Sequence, residues 1–173
     1  SGRMIDRKVL NEIAKAVFAM AEVKTGALIV IEQDVKLGDY ERTGIAIDAE
    51  VTSQLLINIF EHNTPLHDGA VLIRDNRIVS ATCYLPLSDN LDINKSLGTR
   101  HRAGIGVSEV SDSITVIVSE ETGGVSLAYN GMLYRGLTRD NFPAKIEELS
   151  KNEPITKKMR WWKGLGKHEK SNS

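Results

Sequence analysis

Three short segments of the sequence carry side chains that could do chemistry, and the first is Asn63 to Ala70. It contains an adjacent histidine and aspartate, His67 and Asp68. Adjacent residues on an extended strand point to opposite faces, so only a turn lets both reach one ion or ligand. Pro65 and Gly69 favour such a turn, and the missing Cβ of Gly69 lets backbone approach a ligand. The segment predicts a metal or ligand site, with an ordinary surface turn as the alternative.

The second segment, Gly98 to Gly104, concentrates positive charge around Arg100 and Arg102. Successive helical residues lie about 100° apart, so these side chains cannot face one ligand from the middle of a helix. At a helix start they can spread around its end, and Thr99 is a suitable N-cap. Free first-turn N–H groups and two guanidinium groups would then form a phosphate site. The alternative is a basic helix start that pairs with nearby carboxylates.

The third segment, Ser119 to Gly124, follows an apolar run at the point where a buried strand should end. Open α/β sheets place ligand groups at such positions. The hydroxyl of Ser119 could bond a phosphate oxygen, and the carboxylate of Glu121 could bind a metal. A plain polar loop is the alternative for this segment as well.

The remaining sequence predicts the elements that position these segments. Apolar residues at helical spacing, unbroken apolar runs and turn dipeptides indicate helices, buried strands and hairpins in turn. The predicted helices are Ile5 to Ala21, Ala49 to Glu61 and Thr138 to Ser150. The predicted strands are Ala27 to Ile31, Ala70 to Arg74, Arg77 to Leu85, Ile114 to Val118, Val125 to Tyr129 and Met132 to Tyr134. Tight turns are expected at Asp75-Asn76 and Asn130-Gly131, a plain loop over Gly38 to Gly44, and a mobile loop over Ser88 to Ser96.

Composition narrows the class of protein. The chain has 173 residues and a formal net charge of −1, which argues against nucleic acid as a partner and suits one domain. A single cysteine, Cys83, excludes an internal disulfide and points to a reducing compartment. Residues 1–4 look like a cloning remnant, residues 5–150 form the expected domain, and residues 151–173 form a basic tail with two tryptophans, expected to be flexible. No apolar run reaches the roughly 20 residues that span a bilayer.

Together the segments resemble the diadenylate cyclase domain, specifically its membrane-associated CdaA type. The two signatures of that family stand here as Asp68-Gly69-Ala70 and Arg100-His101-Arg102. Their contexts, Asn-Thr-Pro-Leu-His-Asp-Gly-Ala and Leu-Gly-Thr-Arg-His-Arg-Ala, match as well. Two further matches are Tyr84-Leu85-Pro86-Leu87 and Val118 to Gly124. The likeness covers roughly Ile5 to Leu137.

The resemblance implies an α/β fold with a mixed central sheet flanked by helices, and condensation of two ATP into cyclic di-AMP with release of two pyrophosphates. It implies a divalent metal, Mn²⁺ or Mg²⁺, with His67, Asp68 and Glu121 on the metal side. Asp68 would engage the ribose 3′-hydroxyl, Tyr84 would stack on adenine and Leu85 would bond its edge. The implied nucleotide contacts are Gly69, Ala70, Tyr84, Leu85, Thr99, Arg100, His101, Arg102, Ser119 and Glu120. Arg100 and Arg102 join Asp68 as candidate catalytic residues.

The resemblance further implies a homodimer for catalysis, and a cytoplasmic catalytic domain of a membrane-anchored bacterial protein whose transmembrane helices are not in this sequence. A membrane-anchored regulator and phosphoglucosamine mutase are the implied partners. Two other functions remain open at this stage. One is a catalytically silent adenine-nucleotide sensor, which could dispense with Asp68. The other is a metal-dependent phosphohydrolase, for which this chain offers few Asp and His ligands.

Overall fold

The structure, a computed structural model, describes residues 5–90, 92, 93 and 95–151. The expected cloning remnant and nearly all of the basic tail, from residue 152 onward, lie outside the described residues. The helices are α1 (Arg7–Glu22), α2 (Gly38–Glu41), α3 (Ser53–Ile59), α4 (Thr99–Val110) and α5 (Phe142–Lys151). The strands are β1 (Ala27–Ile31), β2 (Ile45–Glu50), β3 (Ala70–Arg74), β4 (Arg77–Cys83), β5 (Ile114–Val118), β6 (Val125–Tyr129) and β7 (Met132–Tyr134).

The seven strands form one mixed sheet in the order β2-β4-β3-β1-β5-β6-β7. The central strand β1 runs parallel to β3, with Ile29 beside Val71, and antiparallel to β5, with Ala27 beside Val118. Since β1 and β3 start at the same end of the sheet, the end where β3 begins is also the end where β5 stops. Two of the three segments with candidate functional residues, Asn63 to Ala70 before β3 and Ser119 to Gly124 after β5, therefore lie at the same end of the sheet. The mixed α/β sheet confirms the predicted fold class.

Helices cover both faces of the sheet. One core joins α1, α3 and α5 to one face of the central strand, through Ile29 and Ile31. The other core packs α4 onto the opposite face, where Leu28 and Val30 point. Alternate residues of β1 thus enter different cores, and all five are buried. This confirms the prediction that an unbroken apolar run forms a strand covered on both faces.

Both predicted hairpins are present, and their turns have the expected backbone. Asp75 and Asn76 have φ values of 49° and 64°, and Asn130 and Gly131 have φ values of 51° and 78°. Positive φ at both central residues is the type I′ pattern, whose twist matches that of the paired strands. The Asp75-Asn76 turn joins β3 to β4, and the Asn130-Gly131 turn joins β6 to β7.

Several predicted boundaries were wrong. The helix expected from Ala49 begins only at Ser53, because residues 45–50 form the edge strand β2. The loop expected over Gly38 to Gly44 contains the short helix α2. The last helix begins at Phe142 instead of Thr138, because the backbone N–H of Thr138 donates to Asn141 Oδ1 (2.8 Å) in a turn before the helix. In the segment Ser88 to Ser96 the described residues form neither helix nor strand, and Ser88 is buried.

The first and last helices meet the end of the sheet that carries the Asp75-Asn76 turn. The backbone N–H of Asp6, just before α1, donates to Asn76 Oδ1 (2.8 Å). A small cavity of about 300 Å³ at this end is lined by Ile5, Asn76 and Ser150 among others. None of the helices within the described residues combines the length and apolar composition that crossing a bilayer requires.

Candidate functional site

A cavity of about 1140 Å³ opens at the end of the sheet where β3 begins and β5 stops. It collects residues from all three chemical segments and from the strand end at Tyr84. Of the predicted site residues, its lining includes Asp68, Gly69, Tyr84, Leu85, Thr99, Arg100, His101, Ser119, Glu120 and Glu121. His67, Ala70 and Arg102 are not in the lining. Pockets of this size accommodate nucleotide-sized ligands.

The turn before β3 delivers Asp68 to the cavity. Gly69 has φ +83°, a conformation that L side chains rarely adopt, and a Cβ there would lie 2.7 Å from the backbone oxygen of Cys83. The turn therefore requires glycine, both for its backbone conformation and for its packing on the end of β4. Asp68 keeps 83% of its side chain exposed, so its carboxylate is free to meet a ligand. Ala70 is fully buried at the start of β3, and its side chain packs in the core.

His67 and Asp68 form the pair that best suits a metal. His67 Nδ1 lies 2.6 Å from the carbonyl oxygen of Thr64, so this nitrogen carries the proton and donates it. The other ring nitrogen, Nε2, lies 3.3 Å from Asp68 Oδ1. Either a shared proton or a cation bound by both atoms would suit this separation. The orienting hydrogen bond on the far nitrogen is the arrangement that metal-binding histidines use.

The donor set is small, and it fits a cation that is bound partly by substrate. Within the described residues, no three His, Cys, Asp or Glu side chains cluster as a metal site. Glu121 lines the cavity and is exposed, but it does not form such a cluster with His67 and Asp68. Mg²⁺ commonly takes one or two carboxylates and completes its shell with water and substrate phosphates. The residues present therefore fit a divalent cation that arrives with a polyphosphate.

The basic segment forms the start of α4, as expected, but the N-cap is Gly98 and not Thr99. Thr99 is the first helical residue, and Gly98 makes no side-chain cap, having no side chain to offer. Arg100 points into the cavity, where its Nη1 lies 3.4 Å from Glu120 Oε2. Its Nε is buried and has no hydrogen-bond partner among the described residues. Arg102 faces elsewhere, and its carbonyl oxygen accepts the backbone N–H of Ser88 at 3.0 Å.

His101, between the two arginines, is buried and lines the cavity. Burial lowers its pKa below the ordinary histidine value, the positive charges of Arg135 and Arg100 lower it further, and Glu121 opposes them. The imidazole is therefore neutral near pH 7 and adds no charge to the site.

Tyr84 and Leu85 border the cavity mouth directly after β4. The side chain of Tyr84 is exposed, at 73%, and its backbone N–H donates to Thr43 Oγ1 (2.8 Å). The segment then crosses α4 at a glycine, since a Cβ on Gly106 would lie 1.8 Å from the carbonyl oxygen of Pro86. An aromatic ring held on a fixed backbone at the mouth of a cavity is suited to stacking.

The loop after β5 is folded around the hydroxyl of Ser119. Ser119 Oγ accepts the backbone N–H groups of Glu121 and Thr122, both at 3.2 Å. With its acceptor sites used, the hydroxyl proton is free to donate toward the cavity. Glu120 forms an ion pair with Arg100, so the pairing of the basic helix start with a carboxylate, which was the alternative prediction, is present. Most of the Glu120 side chain is nevertheless exposed.

Sequence reasoning missed several residues that line the cavity or contact its lining, and two of them bear on the charge of the site. Arg135, just after β7, is exposed, lines the cavity and makes no ion pair in the described part of the chain. Its position could have been predicted from the sequence, because the hairpin between β6 and β7 returns the chain to the end of the sheet where β5 stops. Gly26 contacts the side chain of Arg100, and no local sequence pattern connects the two.

Comparison with known proteins gives the same picture. A family model described as DisA bacterial checkpoint controller nucleotide-binding matches residues 14–133. The chain is 54% identical over 160 residues to the cyclic di-AMP synthase CdaA of Bacillus subtilis (strain 168), covering 91% of this chain and 59% of that protein. The chain thus spans less than two thirds of the length of this relative.

Two solved structures share the fold. A double cysteine mutant of DacA from Staphylococcus aureus matches with a TM-score of 0.81 and 49% identity, covering 84% of this chain and 97% of that one. A hypothetical membrane spanning protein from Bacillus cereus matches with a TM-score of 0.72 and 46% identity, covering 74% of this chain and 63% of that one. These matches confirm the resemblance seen in the sequence, and the chain belongs to the DAC family of DisA-type nucleotide-binding domains.

Proposed function

We propose that this chain condenses two ATP molecules into cyclic di-AMP and releases two pyrophosphates. The observation that carries the proposal is the single cavity into which the Asp68 turn and the start of α4 both project, with Arg100 on the latter. A carboxylate and a guanidinium facing one space suit a reaction that positions a hydroxyl against a phosphate. The name of the Bacillus subtilis relative, cyclic di-AMP synthase, supports the same product.

Tyr84 and Leu85 are proposed to hold the adenine. The exposed ring of Tyr84 supplies a stacking face, and the backbone of Leu85 supplies a donor and an acceptor for the base edge. Leu28 lines the same cavity and adds apolar surface.

The phosphates are proposed to lie against the start of α4 and the loop after β5. Arg100, the hydroxyl of Ser119 and the first-turn backbone at Thr99 are the direct contacts, and the unpaired Arg135 adds a further cation. For Arg102 we propose a supporting role. Its carbonyl oxygen holds Ser88, and so the segment after Tyr84, against α4.

Asp68 is proposed to orient the ribose 3′-hydroxyl of the nucleotide in its own cavity. That oxygen attacks the α-phosphorus of a second ATP, a new P–O bond forms, and the bond to the pyrophosphate oxygen breaks. The hydroxyl proton passes to Asp68 or to water. A carboxylate of ordinary acidity suffices for this orientation. Because each cavity presents one hydroxyl, ring closure requires a second copy of the chain whose cavity faces the first, so we propose a homodimer as the catalytic form.

A divalent cation, Mn²⁺ or Mg²⁺, is proposed at His67, Asp68 and Glu121. When bound there it would neutralise charge on the phosphates and lower the pKa of the nearby hydroxyl. The 3.3 Å separation of His67 Nε2 and Asp68 Oδ1, with His67 Nδ1 held by the carbonyl oxygen of Thr64, supports this assignment.

We further propose that the domain acts in the cytoplasm as part of a membrane-anchored bacterial protein. The Bacillus cereus relative is a hypothetical membrane spanning protein, which supports the anchor. A membrane-anchored regulator and phosphoglucosamine mutase are proposed as partners on the family resemblance alone.

The test is incubation with ATP and MnCl₂ followed by mass analysis of the products. The proposed cyclase yields cyclic di-AMP and pyrophosphate. Bound but unchanged ATP would indicate the silent sensor, and ADP or AMP with no dinucleotide would indicate a hydrolase. The Asp68→Asn variant, which keeps size and hydrogen bonding but loses the charge, is the matched control.

A further inference from the structure

We propose that Gly26 is a positioning residue for Arg100: the absence of a side chain at position 26 creates the slot in which the guanidinium lies. The inference rests on the proposed function, because it concerns how Arg100 is presented to a phosphate. Neither the family match nor the resemblance assigns a role to Gly26.

The contact between the two residues is close. A Cβ built on Gly26 would lie 2.5 Å from Arg100 Nη1, 2.7 Å from Cζ and 3.2 Å from Nε. Real Cβ atoms essentially never approach another heavy atom within 3.0 Å. The plane of the guanidinium therefore occupies the space that any other residue at position 26 would fill.

The backbone at Gly26 gives no competing reason for glycine. Gly26 is not among the glycines with positive φ, which in the described chain are Gly69, Gly123, Gly131 and Gly136. Its φ therefore lies outside the left-handed region that favours glycine. The contact with Arg100 is what excludes a side chain here.

Few other interactions fix the guanidinium. Among the described residues its one ion pair, to Glu120, is long at 3.4 Å, and that glutamate side chain is 64% exposed. Arg100 Nε is buried without a hydrogen-bond partner in the described part of the chain. The space at Gly26, which directly precedes β1, therefore helps to define where the guanidinium lies at the end of the sheet where the cavity opens.

A methyl group at position 26 should consequently displace the side chain and spare the fold. The atoms it meets are the far end of a flexible arginine, which can swing into the open cavity, and not backbone. The displaced guanidinium would then leave the position from which it contacts phosphate.

The experiment measures binding of 3′-deoxy-ATP, which lacks the attacking hydroxyl and is not consumed, together with the melting temperature. For Gly26→Ala we expect an affinity about 10-fold or more weaker, the usual worth of a charge-assisted hydrogen bond. The melting temperature should stay close to that of the wild type. Gly38→Ala is the matched control, because it also places a methyl against an arginine, 3.3 Å from Arg42 Nη1, in a helix that does not line the cavity. Its affinity should not change.

A double-mutant cycle with Arg100→Ala decides whether Gly26 acts through Arg100. In the Arg100→Ala background, Gly26→Ala should change the affinity less than about twofold, since the group it displaces is gone. Additive losses would overturn the proposal, as would a Gly26→Ala variant that binds like the wild type. If Gly26→Ala alone does not fold, recovery of folding in the double variant supports the contact, and continued unfolding overturns it.

The two levels of the proposal fail differently. A wild-type protein that binds no 3′-deoxy-ATP overturns the proposed function and this inference together. A wild type that binds the nucleotide and makes cyclic di-AMP, with Gly26→Ala unaffected, overturns the inference alone.

Discussion

Truncation of Tyr84 to alanine should separate nucleotide binding from stability. The ring is 73% exposed, so its removal takes little apolar surface out of the folded core. The backbone N–H bond from Tyr84 to Thr43 Oγ1, at 2.8 Å, does not depend on the side chain and survives the substitution. The expected change in the free energy of unfolding is therefore within about 0.5 kcal/mol, as for most surface substitutions.

The loss of affinity follows from stacking. A base on an aromatic ring is worth about 1–3 kcal/mol. This corresponds to a dissociation constant for 3′-deoxy-ATP that rises about 5- to 150-fold. Tyr84→Phe keeps the ring and removes only the hydroxyl, so it should bind nearly as well as the wild type.

Titration calorimetry on the three proteins, with differential scanning calorimetry for stability, tests this reasoning. It is refuted if Tyr84→Ala melts several degrees lower while the folded protein binds with unchanged affinity. It is also refuted if Tyr84→Phe loses as much affinity as Tyr84→Ala, because the hydroxyl and not the ring would then carry the contact.

Three further outcomes are expected. Asp68→Asn should bind 3′-deoxy-ATP normally yet form no dinucleotide by mass analysis; retention of even a tenth of wild-type product formation would exclude the assigned role. Burial lowers the pKa of His101, so this histidine binds its proton at a higher pH in the unfolded chain than in the folded protein. Its contribution to the free energy of unfolding is therefore present above about pH 6.5 and is lost as the pH falls. The melting temperature should therefore fall less steeply between about pH 7.5 and pH 5.5 for His101→Gln than for the wild type. Equal slopes of melting temperature against pH would contradict this. Gly106→Ala, whose methyl would lie 1.8 Å from the oxygen of Pro86, meets rigid backbone and should lose about 1–3 kcal/mol of stability in chemical denaturation, and an unchanged midpoint would count against it.

The sequence predicted the elements whose pattern is local. Unbroken apolar runs such as Ala27–Ile31 and Ile114–Val118 became buried strands, since each run satisfies two cores at once. Strand β2 was missed because it lies at the edge of the sheet and four of its six residues are exposed. Its pattern is also broken by Asp48, which has φ +51° at a bulge against β4.

The sequence motifs predicted part of the candidate site, and the rest depends on contacts between residues that are far apart in the sequence. The turn at Asp68 and the basic helix start were visible because their residues are contiguous. The N-cap at Gly98 was not visible in the sequence, because the side chain of the neighbouring Thr99 is better suited to capping. Which of the two residues is the N-cap depends on the path of the chain before the helix. The contact of Gly26 with Arg100 joins segments far apart in the sequence, so no local pattern could reveal it.

The first and last helices both contact the end of the sheet opposite the large cavity, and this determines where the domain can be attached to another molecule. The chain enters α1 beside the Asp75-Asn76 turn, through the bond from Asp6 to Asn76, and Ile5 and Ser150 line the small cavity there. An attachment made at either end of the described domain would therefore lie away from the large cavity.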